Sequence, residues 1–106
     1  MQIELYTDSG QALINEIFSA VEKETVKTWV VKKDGKGTKY LTHKPEQWID
    51  KALFGFENEK GKIVISLVWW KDKEPTEEIK GYYMGRLTEL LLVNFSGKFG
   101  KFEIIK

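Results

Sequence analysis

The sequence predicts an α+β domain in which an antiparallel sheet of four to six strands carries two helices packed on one face. Three observations predict it. Short apolar or alternating runs bounded by Gly, Asp and Asn recur along the chain, as strands and hairpins require. Two longer stretches, after Asp8 and after Thr76, repeat apolar residues at helical spacing. These helical and extended stretches do not alternate one for one, so the parallel sheet of a simple βαβ series is not expected. The 106 residues are expected to form a single domain, 1–106.

The first strand is Ile3 to Tyr6, where apolar and polar residues alternate. Asp8-Ser9-Gly10 breaks it, and Asp8 with Gln11 has the spacing of a capping box. Leu13, Ile14, Ile17, Phe18 and Val21 then form one apolar helical stripe, which fades near the β-branched Thr25. Lys27 to Lys33 reads as a strand, Asp34 to Gly37 as a turn, and Thr38 to Thr42 as the returning hairpin arm. From His43 to Asp50 the pattern is ambiguous, with Pro45 and Glu46 placed to open one helical turn.

The clearest hairpin joins Ala52–Glu57 to Lys62–Trp70 through Asn58–Gly61. Its second arm is rich in Ile, Val and Trp, and both of its faces are largely apolar, so a central strand covered on both sides is expected. Thr76 is placed to cap the second helix, with Glu77 and Glu78 at the positive end of its dipole. Ile79, Tyr83, Leu87, Leu90, Leu91 and Asn94 trace an inward stripe. The nearly continuous apolar run from Leu90 to Phe95 predicts a deeply buried last turn. Gly81 and Gly85 have the spacing that lets a helix approach a sheet closely. Lys101 to Ile105 is the final strand.

If the first hairpin is an addition, the remaining order is βαββαβ, the split, ferredoxin-like arrangement with an extra hairpin. The alternative drops the terminal strands and leaves αβββα, a layout like that of double-stranded-RNA-binding domains.

Composition limits the chemistry. There is no cysteine and one histidine, so neither a disulfide framework, a thiolate nucleophile nor a usual zinc site is expected. No cofactor or metal is expected. The N-terminus MQIELYTDSG lacks a basic segment followed by an apolar run, and no apolar run is long enough for a membrane span. A cytoplasmic location and no membrane partner are therefore expected.

His43 has no placed partner to orient it as a general base, so it reads as an exposed or capping loop histidine. The carboxylate pairs Glu22/Glu24, Glu57/Glu59, Asp72/Glu74 and Glu77/Glu78 fall in turns, at helix ends or in charged stretches. Gly35-Lys36-Gly37-Thr38 lacks the strand and helix context of a phosphate loop and reads as a hairpin turn.

Two regional signals remain. Trp29, Trp48, Trp69, Trp70, Phe54 and Phe56 supply a surplus of aromatic sheet surface. If one sheet face is open, that surplus marks a protein-binding or self-association surface. The leading expectation is thus a small non-catalytic binding or regulatory module acting through an apolar aromatic sheet surface, with a homodimer through the sheet as one such assembly. The second signal is the segment from Lys23 to Lys44, where seven lysines face only Glu24 and Asp34. Nucleic-acid binding through Lys27, Lys32, Lys33, Lys36, Lys39 and Tyr40 is the first alternative. It is weakened by the presence of a single arginine, Arg86. A small-ligand site near His43 and Trp48 is the other alternative.

Overall fold

The computed structural model describes residues 1–45 and 49–106. In chain order it contains β1 (Gln2–Tyr6), α1 (Gly10–Glu22), β2 (Trp29–Lys33), β3 (Lys39–His43), β4 (Leu53–Glu59), β5 (Lys62–Val68), α2 (Glu77–Phe95), a short 3-10 turn (Ser96–Lys98) and β6 (Lys101–Ile105). The strands form one antiparallel six-stranded sheet in the order β2-β3-β4-β5-β1-β6. The αβββα alternative is overturned, because β1 pairs along its length with both β5 and β6. Its Ile3 and Leu5 are fully buried opposite Ile65 and Ile63. The helical turn expected at Pro45 and Glu46 runs into residues outside those described.

Register sorts the strand residues between two faces. One face carries Ile3, Leu5, Leu41, Phe54, Ile63, Ile65 and Leu67, and these join the buried residues of both helices in one core cluster. The helices contribute Leu13, Ile14, Ile17, Phe18 and Val21 from α1, and Tyr83, Met84, Leu87, Leu90, Leu91 and Phe95 from α2. The second face carries Leu53 and Val64, which are buried but lie outside that cluster. Around them Ser66, Val68 and Gly55 are half-buried. The central strand is β5, but its second face is covered only in part. The Tyr40 ring lies over Gly55, where an added Cβ would come within 3.3 Å of it. Gly61, at a φ of +78°, supplies the left-handed residue of the β4–β5 turn.

Several local expectations are corrected. Ser9, not Asp8, precedes α1, and no side chain caps that helix. At α2 the Thr76 hydroxyl does accept from the Ile79 N–H, at 3.2 Å. The last turn of α2 is buried on one side only: Leu90, Leu91 and Phe95 face inward, whereas Val93 is 74% exposed and Leu92 and Asn94 are also exposed. Each residue turns by about 100° around a helix, so a continuous apolar run cannot all face one core. Gly81 and Gly85 point outward into open space and make no close approach to the sheet.

One junction fixes the position of the first hairpin. The ladder between β3 and β4 is confined to Tyr40↔Gly55 and Leu41↔Phe54. Beyond it the strands part, and the fully buried Thr42 takes over the bonding. Its hydroxyl donates to the Ala52 carbonyl at 2.8 Å and accepts from the Asp50 N–H at 3.1 Å. The Tyr83 hydroxyl of α2 lies 3.2 Å away. Thr42→Val keeps the shape and removes these partners from buried groups. It is expected to cost about 1–3 kcal/mol, read as a lower urea midpoint at unchanged slope; an unchanged midpoint would show that the junction bonds are dispensable.

Candidate functional site

The structure divides the predicted aromatic set. Trp29 is 3% exposed, and its ring packs on His43, Phe54 and Tyr83 with centroid separations of 4.8, 6.0 and 6.2 Å. Phe54 is fully buried. These two residues are core, not surface. Phe56 is half-buried on the helix-covered face, edge-on to Phe18 at 5.0 Å. Trp69 is exposed beyond the end of β5, with Lys80 Nζ 5.0 Å from its ring centre. Trp70 is half-buried against Tyr40, at 5.8 Å. Trp48 lies outside the described residues. The aromatics therefore do not form one patch.

The other half of the second face, over β1 and β6, is charged. Glu4 is buried and accepts from Gln2 Nε2 at 2.9 Å, while Lys62 Nζ lies 3.3 Å from its carboxylate. The Tyr6 hydroxyl lies 3.0 Å from both Glu4 and Glu103. Bonding to Glu103 and then to Glu4 pushes the Tyr6 pKa up to about 12. This network was not legible in the sequence, because Glu4 and Glu103 become neighbours only through the β1–β6 register.

The expectation of an exposed loop histidine is corrected: His43 is the last residue of β3, paired with Trp29 and 4% exposed, and its Nδ1 has no hydrogen-bond partner among the described residues. Its ring sits against Trp29, Tyr82 and Tyr83. Burial, seconded by the positive charge of Arg86, pushes its pKa below the ordinary 6.5, and Glu89 opposes them in part. Among the described residues no carboxylate is bonded to its Nδ1 to orient the ring for proton transfer. Among the described residues no group of three metal-ligating side chains comes together.

The lysine-rich hairpin has a different geometry from the one the charge count suggests. Asp34 closes its turn by accepting from the N–H groups of Lys36 and Thr38 at 2.8 and 3.0 Å. Lys32 lies 3.8 Å from Asp50, and Lys39 lies 3.4 Å from Glu22. Lys27, Lys33 and Lys36 are exposed with no ion pair among the described residues. Tyr40 is turned onto Gly55 and gives its hydroxyl proton to Asp34 at 3.2 Å, on the sheet face opposite Trp29.

A concavity lies beside this hairpin. A groove of about 600 Å³ runs between the end of α1 and the outer edge of β2. Val21, Val26 and Trp29 form its floor, and Lys27, Lys33 and Lys44 stand on its rim. Sequence reading missed it because the end of α1 and β2 were assigned to separate elements, and only their packing makes a wall and a floor. No helix among the described residues is long and apolar enough to cross a membrane. No protein-family model, curated protein or solved structure matches the chain.

The environment of His43 predicts a pH dependence. A folded-state pKa held below its unfolded value contributes stability that is present above about pH 6.5 and is lost as the pH falls. Between about pH 7 and pH 5 the urea midpoint should drop less in His43→Leu than in the wild type. Equal drops would show that the imidazole does not titrate in this way.

Proposed function

We propose that this chain is a non-catalytic binding module whose partner adds to the rim of the sheet. One observation carries the reading: β2 is an edge strand, unpaired on its outer side among the described residues, that opens directly onto the apolar-floored groove. Free strand edges pair with extended peptides, and adjoining pockets give such pairing its selectivity. A bonding partner for His43 that would suit catalysis is lacking among the described residues, which supports a binding role over an enzymatic one. The aromatic sheet surface reduces in this reading to Trp69, Trp70 and Tyr40, since Trp29 and Phe54 are buried. With the β2–β3 hairpin set aside, the order β6-β1-β5-β4 supports the ferredoxin-like arrangement carrying an added hairpin. A cytoplasmic setting suits a chain that has no cysteine to form disulfides.

The opposite edge favours a second reading, self-association. Ile104 is 55% exposed on β6, and Ile105 is exposed beside it. An antiparallel pair of β6 strands centred on Phe102 would set Lys101 of each copy against Glu103 of the other, which is complementary in charge. Light scattering on concentrated protein should then give a dimer that Ile104→Lys converts to a monomer; a monomeric wild type removes this reading.

The binding-module reading has its own test. Peptides selected from a random display library on the full chain should bind the wild type and bind Val31→Pro about tenfold more weakly. Proline is tolerated on an edge strand where the lost N–H faces outward, so the sheet should persist. Failure to enrich any peptide, or enrichment of peptides indifferent to the substitution in a folded variant, would remove the reading.

A further inference from the structure

We propose that the β2 edge and its groove take an extended acidic segment of a partner protein as a seventh strand. The inference rests on the binding-module reading and adds the chemistry of the partner.

The backbone supplies the first part. The Asp34 N–H donates to the Thr38 carbonyl, and the Lys44 N–H donates to the Thr28 carbonyl. In an antiparallel pair the residues that bond across the ladder alternate with those whose backbone groups point away. On the observed register, Thr28 and Asp34 mark the even-numbered residues as the ones bonded to β3. The N–H and C=O groups of Trp29, Val31 and Lys33 therefore point outward from the sheet. Among the described residues no strand pairs with that side of β2. At about 3.4 Å per residue, the strand is long enough to register a partner segment of its own length.

Side chains supply the second part. A strand laid on this edge turns alternate residues toward the helix layer, where Val21 and Val26 floor the groove. Those positions suit aliphatic side chains. The groove wall also carries Lys27, Lys33 and Lys44, none of them ion-paired among the described residues. Of the acids in the same wall, Glu22 is paired with Lys39, and Glu24 alone remains to offset the three lysines. The surplus is positive, and it complements carboxylates flanking an aliphatic core.

The same lysines were the basis for nucleic-acid binding, and the geometry separates the two ligands. Sequence-tolerant binding of single strands needs exposed rings for base stacking. The ring in this groove, Trp29, is buried, and Tyr40 is folded onto Gly55. Outward amide and carbonyl groups in strand spacing match a peptide backbone instead.

The test is fluorescence anisotropy on the full chain at low salt, with three labelled probes. These are a seven-residue peptide with a valine-rich core flanked by glutamates, the same peptide with lysine for glutamate, and a single-stranded oligothymidine. The glutamate peptide should bind saturably, at least about tenfold more tightly than either other probe. The double variant Lys27→Glu/Lys33→Glu, checked for fold by circular dichroism, should reverse the order of the two peptides. Val31→Pro should weaken the glutamate peptide without reversing that order. If Val31→Pro fails to fold, the charge-reversal variant decides alone.

Equal binding of the two peptides, or an unchanged order in the charge-reversed variant, overturns the proposal. Tighter binding of the oligonucleotide also overturns it and favours nucleic acid. Library peptides that are sensitive to Val31→Pro but carry no acidic residues would leave the binding-module reading standing and remove the acidic preference alone.

Discussion

The docking of the β2–β3 hairpin is the constraint on which the rest of the surface depends. Two residue pairs join it to the other four strands, too few for ladder bonds to hold it. The larger contribution is apolar. Burying an indole removes 150–250 Å² of surface, worth about 4–6 kcal/mol as an upper bound, against about 1 kcal/mol net for a hydrogen bond. Trp29 is thus the anchor, seated on Phe54, His43 and Tyr83. The Thr42 hydroxyl decides where the anchored hairpin sits, because its partners Ala52, Asp50 and Tyr83 come from two other parts of the chain.

That docking determines which surfaces remain for binding. It extends the sheet by two strands beyond β4 and moves the free edge to β2, beside the end of α1. It also carries Trp29 under the helices, against Phe54 of β4. What is left outside is an edge with a lysine rim, a half-covered aromatic pair at Tyr40 and Trp70, and a charged network around Glu4 and Tyr6. Lysines on a sheet edge commonly protect against indiscriminate pairing. Here the same charges give the edge a positive sign, on which the proposed preference for an acidic segment rests.

Legibility varied with the range of the interaction. The stripe Leu13–Val21 and the cap at Thr76 depend on residues close in sequence, and both were readable. The last turn of α2 was not readable from its apolar run, because successive helical residues lie about 100° apart and cannot all face one core; Val93 shows the consequence. For the candidate site, the lysine surplus was readable as charge but not as a rim. The valine floor was invisible, since Val21 and Val26 belong to the end of a helix and the loop after it.

By itself the sequence determined the order of six strands and two helices, because periodicity, turn residues and caps act over a few positions. It also determined the absence of cysteine, the single histidine and the local excess of lysine. Only the tertiary structure decided which apolar faces are covered, which carboxylates meet at Tyr6, and which strand lies at the edge. These are properties of register and packing between segments far apart in the chain, where a shift of one residue sends every side chain of a strand to the opposite face.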